Sequence, residues 1–428
     1  MSSSISHSEE QNQGHDIQGT LQPLLDEPVH IDTSLHTNRT ASKAIPQRNA
    51  RHSWIDAFKH IFPIYLATHI AFVMLTYLAS LFSIKNFTGT TLGLKTLMSA
   101  WDRWDSGQFE AIAAHGYDHV YRAAFFPLYP YLERFVALVT RDSFIAGMII
   151  SNIAGLVLFT VLYRLVKEDF NESIAARTVL YVAVFPTSFF LAAAYNESLF
   201  LCLTLLSFYA LRHGRWWQAG IFGLLAALTR SSGLFLLVPF CYEYLRQHEF
   251  QLKALRFNIL SGLLIPTGVA LFAAYCFLRL HDALAFSHAQ STWGRQLQPP
   301  WMTFIDALLI IKHYPFLSFN SIHTVIDFSA CLLMLALTTL CFVGPWKLEK
   351  SQWAYAFYAA AFYLFLIMFP ATNFPVQSIS RQVIEIFPAF IILAMLGKHA
   401  NFNLYYLTII GGLLSFMLLQ YLSGYWIV

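Results

Sequence analysis

Long apolar runs separated by short polar segments dominate the chain from about residue 61 onward, near 61–83, 144–166, 176–194, 197–211, 217–241, 258–280, 325–345, 353–370, 383–397 and 403–426. A bilayer-crossing helix takes about 20 apolar residues, and shorter ones are tolerated inside a large bundle. The pattern predicts an all-α polytopic membrane protein with about ten spans. The fifth run is interrupted by Thr229-Arg230-Ser231-Ser232-Gly233. A cation and a glycine at mid-membrane predict two short half-helices running out and back, since broken backbone survives at that depth only against protein or a wet cavity.

That hairpin sets the sidedness. With it, Arg39, Lys43, Arg48, Arg51 and Lys59 share one side with Arg164, Lys167, Arg177, Arg212, Arg215, Arg246, Lys253, Arg256, Lys347, Lys350 and Lys398. An excess of Lys and Arg marks the cytoplasmic side, so the N-terminus is expected there. Without the break, Arg246, Lys253 and Arg256 would fall outside. Two long outer loops result, 84–143 and 281–324, together with short outer turns at Tyr195-Asn196-Glu197 and around residues 371–381. Residues 1–53 are polar and lack an apolar signal core, which predicts a disordered cytoplasmic tail ahead of a single transmembrane catalytic domain, 54–428.

Composition agrees. Of 428 residues, 57% are hydrophobic and 12% charged, against about 25% charged in soluble domains. The net charge of +3 is too small and dispersed for a nucleic-acid partner. Phe, Tyr and Trp total 16%, suiting interfacial belts and bundle packing. The five cysteines (Cys202, Cys241, Cys276, Cys331, Cys341) lie in or beside apolar runs without a C-x-x-C pair, so they read as buried hydrophobes. The 16 histidines show no H-E-x-x-H spacing. Neither a G-x-x-x-x-G-K-[ST] loop nor a G-x-S-x-G elbow occurs, so ATP-driven transport and serine hydrolysis have no support.

The unusual polar residues converge on the outer side. Asp102 and Asp105, three positions apart, share a helical face among Trp101, Trp104 and Phe109. They are either solvated acids of an interfacial anchor, a catalytic carboxylate beside a lipid-linked substrate, or a shared divalent-cation site. Glu197 is either a functional membrane-edge acid or a helix-start carboxylate. Arg230 needs an anionic partner, with Glu197 and a substrate phosphate as candidates. Arg381 is a second cation, for a phosphate or a lipid headgroup. Gln290, Trp293 and Arg295 pair amide, indole and guanidinium, suited to a sugar or headgroup, or to ordinary loop packing.

In order along the chain, Arg103-Trp104-Asp105, Phe109, Ile112-Ala113-Ala114-His115-Gly116-Tyr117 and Ala124-Phe125-Phe126-Pro127 resemble the first-loop motif of the PIG-V mannosyltransferase family, the second mannosyltransferases of GPI-anchor assembly. Tyr195-Asn196-Glu197-Ser198-Leu199-Phe200 resembles that family's Y-[ST]-E-S-L-F segment, and Thr229-Arg230-Ser231-Ser232-Gly233 its T-R-[ST]-x-G segment. Gln290 with Trp293, and Arg381 ahead of Phe387-Pro388, follow in the same order, so the resemblance runs from about residue 54 to the end.

The resemblance implies a GT-C type glycosyltransferase: a multi-helix bundle with its active site on the lumenal or extracellular face, using a polyprenyl-phosphate sugar and no nucleotide. It implies Asp105 as the catalytic carboxylate, with Asp102 as its partner. Arg230, Arg381 and Glu197 would serve the donor phosphate or sugar, and Gln290, Trp293, Trp104, His115, Tyr117, Phe126 and Pro127 complete the expected donor-binding set. No cofactor is expected; a divalent metal is the less favoured alternative. Where the family pattern has a His before the Phe, this chain has Gln108. Together with its short loops, that favours a bacterial plasma-membrane homologue over an ER enzyme, with a lipid or cell-envelope glycan as acceptor. The eukaryotic family works with a companion membrane subunit; no docking surface for one is visible in this chain. The competing expectations are a lipid-linked sugar transporter or flippase, which should show paired repeats, and a catalytically inactive scaffold.

Overall fold

The structure, a computed structural model, describes residues 47–83, 92–315, 318–372 and 374–425. Nearly all of this falls in one compact unit, Arg48–Val428; the preceding unit, Met1–Gln47, contributes only Gln47. Most of the expected tail therefore lies outside the described residues, while the first helix is already under way at Gln47, ahead of the expected boundary at 54.

The described residues are helical. In chain order the helices are α1 (Gln47–Ser83), α2 (Leu94–Ser99), α3 (Asp105–His115), α4 (Leu128–Thr140), α5 (Ser143–Asp169), α6 (Glu172–Ala183), α7 (Glu197–Arg212), α8 (Trp216–Thr229) and α9 (Leu237–Gln247). There follow α10 (Leu264–Leu280), α11 (Ala285–His288), α12 (Pro300–His313), α13 (Phe319–Leu340), α14 (Trp353–Met368), α15 (Ile379–Gln382), α16 (Phe387–Leu396) and α17 (Ala400–Leu422). Several starts are capped by side chains that satisfy otherwise orphaned backbone N–H groups: Asp142 accepts from Ile145 N at 3.0 Å and Asn171 from Ile174 N at 2.9 Å.

The expected all-helical, many-span architecture is present. Among the described residues six helices are long and apolar enough to cross a membrane: Ser53–Leu81, Ser143–Asp169, Phe257–Leu280, Phe319–Leu340, Lys350–Met368 and Ala400–Leu422. A seventh results if Ile379–Glu385 and Phe387–Leu396, bent by 85°, count as one span.

The other apolar runs form shorter helices for local reasons. The run 176–194 ends as a helix at Ala183, just before Phe185-Pro186, where the proline ring disfavours helical backbone in its predecessor. α7 has only 16 residues and α8 only 14. α7 and α16 are sheathed by protein, every residue of α16 from Phe387 to Ala394 being buried, whereas α8 exposes Trp217 and Ile221. Hydropathy cannot distinguish such helices from lipid-facing ones. By contrast, only 22% of the best apolar window of Ser53–Leu81 or of Ala400–Leu422 is buried, so these two flank the bundle and turn most of their apolar surface outward.

The break in the fifth run is a hairpin, as expected. Arg230 is extended (φ −152°, ψ 145°), a 3-10 segment Ser231–Leu236 follows, and α9 returns. Tyr244 near the end of α9 lies 4.6 Å, ring to ring, from Trp216 at the start of α8. Gly233 permits the reversal: a Cβ there would come within 2.5 Å of Ala227 N.

The hairpin puts the two polar ends of the bundle in register. At one end Arg212 donates to Asp169 (3.0 Å), Glu243 (3.2 Å) and the Ser351 carbonyl (2.6 Å), tying together the ends of α5, α7 and α9 and the approach to α14. At the other end the Asn196 amide donates to the Thr229 carbonyl at 3.1 Å. This second end carries the cavity. The expected outer loops fold as α2–α4 and as α11 and α12, and contribute Asp105, Phe109, Phe126, Gln290, Trp293 and Arg295 to its lining, so neither loop is a simple linker; residues 84–91 of the first and 316–317 of the second lie outside the described residues.

Candidate active site

Asp105 is the first residue of α3, where a carboxylate complements the helix dipole. It is aimed by an unusual residue before it: Trp104 has φ +53° and ψ −108°, a region a bulky side chain rarely adopts. Such strain persists only where surrounding contacts enforce it. One contact comes from the turn before α7. The Tyr195 hydroxyl donates to the Arg103 carbonyl at 2.8 Å and accepts from Asp105 N at 3.3 Å.

Arg381, on the short limb before the 85° bend, organises the centre. Its Nη1 lies 2.7 Å from Asp105 Oδ2, and its Nε donates to Glu197 Oε1 at 2.6 Å. Its guanidinium lies 4.6 Å from the Tyr195 ring centroid and 4.8 Å from that of Phe190, two cation–π contacts that also desolvate it. Arg230, at the hairpin break, meets Glu197 Oε1 at 2.9 Å, Glu385 Oε1 at 2.8 Å and Asn196 Oδ1 at 3.3 Å. Glu197 and Glu385 are fully buried. Glu197 thus bridges two arginines, and the chain of charges runs Asp105–Arg381–Glu197–Arg230–Glu385.

This array faces a cavity of about 340 Å³ whose polar side includes Asp105, Asn196, Arg230, Gln290, Arg295 and Arg381, and whose apolar side includes Phe109, Phe125, Phe126, Phe362, Phe365 and Phe369. Arg295, between α11 and α12, is half-buried. Burial and the neighbouring Arg230 and Arg381 pull its guanidinium down to about 10, against an opposing pull from Asp105. A carboxylate with one oxygen held, opening on a charged pocket with an aromatic wall, can accept a proton from a hydroxyl placed there; the surrounding cations can stabilise a departing anion.

The structure sorts the expected residues into two groups. Asp105, Arg230, Arg381, Gln290, Trp293 and Phe126 line the cavity, and Glu197 holds its arginines from behind. Asp102 does not line it; it is exposed and accepts from Ser106 Oγ at 2.8 Å. Helical spacing puts the two aspartates near each other in sequence, but α3 begins only at Asp105, so Asp102 lies on the preceding turn. Trp104 and the exposed His115 at the end of α3 also lie off the lining, as does Pro127, which caps the start of α4. Tyr117 is buried and supports the wall indirectly, donating to the Phe125 carbonyl at 2.7 Å and packing 5.3 Å from Phe272.

One central residue escaped the sequence reading. Glu385 is the only acid in the apolar run 383–397, and a lone carboxylate in such a run is a functional candidate in its own right. Among the described residues no group of three or more His, Cys, Asp or Glu side chains is arranged to hold a metal ion.

Residues 123–281 match the family described as dolichyl-phosphate-mannose-protein mannosyltransferase. GPI mannosyltransferase 2 of Schizosaccharomyces pombe is 30% identical over 151 residues, covering 34% of this chain and 32% of the relative. GPI alpha-1,6-mannosyltransferase 2 of Mus musculus is 32% identical over 153 residues, covering 32% of this chain and 30% of the relative. The chain is similar to the mannosyltransferases its motifs pointed to. The match spans about a third of the length of these curated relatives. Among solved structures, the apo oligosaccharyltransferase of Archaeoglobus fulgidus aligns with a TM-score of 0.43 and 12% identity, covering 85% of this chain and 56% of that one.

Proposed function

We propose that this protein is a membrane glycosyltransferase that moves a hexosyl group, mannosyl by its relatives, from polyprenyl phosphate to an acceptor hydroxyl. The observation that carries the reading is the Asp105 carboxylate, with one oxygen on Arg381 at 2.7 Å, opening on a pocket that also holds Arg230 and Arg295. The mannosyltransferase family match over residues 123–281 supports the reaction class.

The reaction is a single displacement with inversion. The acceptor oxygen attacks the anomeric carbon, a new glycosidic C–O bond forms, and the anomeric C–O bond to phosphate breaks. The acceptor proton passes to Asp105, and the electron pair leaves with the phosphate. Glycosidases need a second carboxyl to protonate a leaving alkoxide; phosphate leaves as a stable anion, so one base suffices. The hydroxyl proton is released late, as the C–O bond forms, and Arg381 holds the carboxylate in place to receive it. The guanidinium cluster stabilises charge that grows only as the phosphate departs. We place the N-terminus in the cytoplasm, the cavity on the opposite face of a bacterial plasma membrane, and a lipid or envelope-glycan hydroxyl as acceptor. The chemistry is written without a metal.

The test is transfer from synthetic polyprenyl-phosphate mannose by purified protein, with and without EDTA, beside Asp105→Asn. Transfer that resists EDTA and is lost in the variant supports the reading. Transfer retained by a folded Asp105→Asn removes Asp105 as the base, and EDTA sensitivity overturns the metal-free chemistry. A folded wild type that consumes no donor moves the reading to another sugar, and then to transport.

A further inference from the structure

The three cavity arginines are not equivalent. Arg381 is held by Asp105 and Glu197, and Arg230 by Glu197 and Glu385. Their charge is already answered by protein carboxylates, and turning either toward a ligand would strand a buried acid, which is costly. Arg295 lines the same cavity, and among the described residues no carboxylate lies within ion-pairing distance of it. It is the cation that the fold leaves for something else.

The backbone holds it there. Arg295 N donates to the Gln290 carbonyl at 3.1 Å, closing a turn that brings Gln290, Trp293 and Arg295 to one wall. The next residues pair with the strap after α14: Thr372 N donates to the Gly294 carbonyl (2.8 Å), Gln296 N to that of Pro370 (3.3 Å) and Gln298 N to that of Met368 (2.9 Å). Gly294 allows this with φ +66°; a Cβ there would sit 2.9 Å from Thr372 Oγ1. A cation on a flexible loop would drift to solvent, whereas this one is stitched over the pocket in the positive field of Arg230 and Arg381.

We propose that Arg295 directly binds the phosphate of the lipid-linked donor, and that Arg230 and Arg381 act as a carboxylate-locked frame around it. This rests on the transferase reading above. The donor phosphodiester carries one negative charge and the released polyprenyl phosphate approaches two. A guanidinium with no internal counter-ion therefore holds the leaving phosphate more tightly than the substrate, which favours cleavage. The planar fork of arginine suits two phosphate oxygens better than an ammonium does.

The experiment uses full-length protein in lipid nanodiscs, titrated with polyprenyl phosphate and with the matching polyprenol alcohol. Wild type, Arg295→Gln and Arg295→Lys are compared, with melting curves to verify folding. Wild type should bind the phosphate more tightly than the alcohol. Arg295→Gln should lose roughly tenfold or more of the phosphate affinity, the scale of a charge-assisted hydrogen bond, with alcohol binding unchanged and a weaker dependence on salt. Arg295→Lys should fall between the two. Full phosphate affinity in Arg295→Gln overturns the assignment while leaving the transferase reading standing. Equal binding of phosphate and alcohol by wild type overturns the donor reading itself, and the assignment with it.

Discussion

Arg381 Nη1 lies 2.7 Å from Asp105 Oδ2, joining residues 276 positions apart in the chain. The contact depends on two irregularities, the left-handed backbone of Trp104 that starts α3 and the 85° bend that leaves Arg381 on a short limb facing the cavity. Glu197 locks the arginine from the other side, so the position of Asp105 is a property of the array rather than of its own loop.

Glu197 should therefore be a stability residue first. Glu197→Gln removes the charge shared by Arg230 and Arg381 and leaves both facing too few anions. Removing one partner of a buried ion pair costs about 3–5 kcal/mol, so the unfolding temperature in detergent should fall clearly below wild type. An unchanged melting curve would show that the two arginines find other anions.

Tyr195→Phe separates geometry from packing. The variant keeps the ring under Arg381 but loses the hydroxyl that joins Arg103 O to Asp105 N. A net loss of about 0.5–1.5 kcal/mol per hydrogen bond predicts nearly normal folding, and a roughly tenfold fall in turnover if Asp105 swings out of line. Steady-state transfer kinetics beside a melting curve would reveal it; a large melting shift with turnover intact would contradict it.

α3 and α4 predict a pH effect. Burial, with Asp102 and Asp142 nearby, pushes Glu110 from 4.5 up to about 7. Glu133 behind it is pushed to about 10 by burial and by Glu110. Between about 4.5 and about 7 folded Glu110 keeps a proton that the unfolded chain has released. Its contribution to stability is complete below that window, declines across it and is flat above. Glu133 adds to the slope over the same window, so Glu110→Gln should make the fall of melting temperature between those pH values shallower without abolishing it, and a slope as steep as wild type's would assign the effect elsewhere.

Gly233→Ala tests the hairpin. The added methyl would press on the backbone of Ala226 and Ala227, so the return of α9 should be strained by a few kcal/mol, as for overpacked cores, at about 1–3 kcal/mol. The expected result is a lower melting temperature and weaker transfer; wild-type behaviour in both would mean the reversal has slack.

Much of this architecture was legible in the chain. The apolar runs located nearly every long helix, and the Arg230–Gly233 interruption announced the hairpin, because an ionised side chain is costly in an unbroken lipid-facing helix and the Ser-Ser-Gly that follows it lets the backbone turn. The motif residues Asp105, Glu197, Arg230 and Arg381 were recognisable as polar residues with no reason to be in apolar company. Which apolar helices face protein was not recoverable, since α7 and α16 are as apolar as lipid-facing helices while packing against protein. Nor could spacing reveal that Asp102 would stand apart from Asp105, which depends on where α3 begins.

The sequence by itself determined which residues are costly to bury, and therefore that they must meet partners, because desolvation is a property of each side chain. Only the tertiary structure decided who the partners are. Glu385, Glu197, Arg230, Arg381 and Asp105 come from four separate stretches of chain, and their pairing is set by distances of about 3 Å that no periodicity encodes. Which arginine would be left without a carboxylate was likewise undecided until the fold seated Arg295 beside two that were already paired.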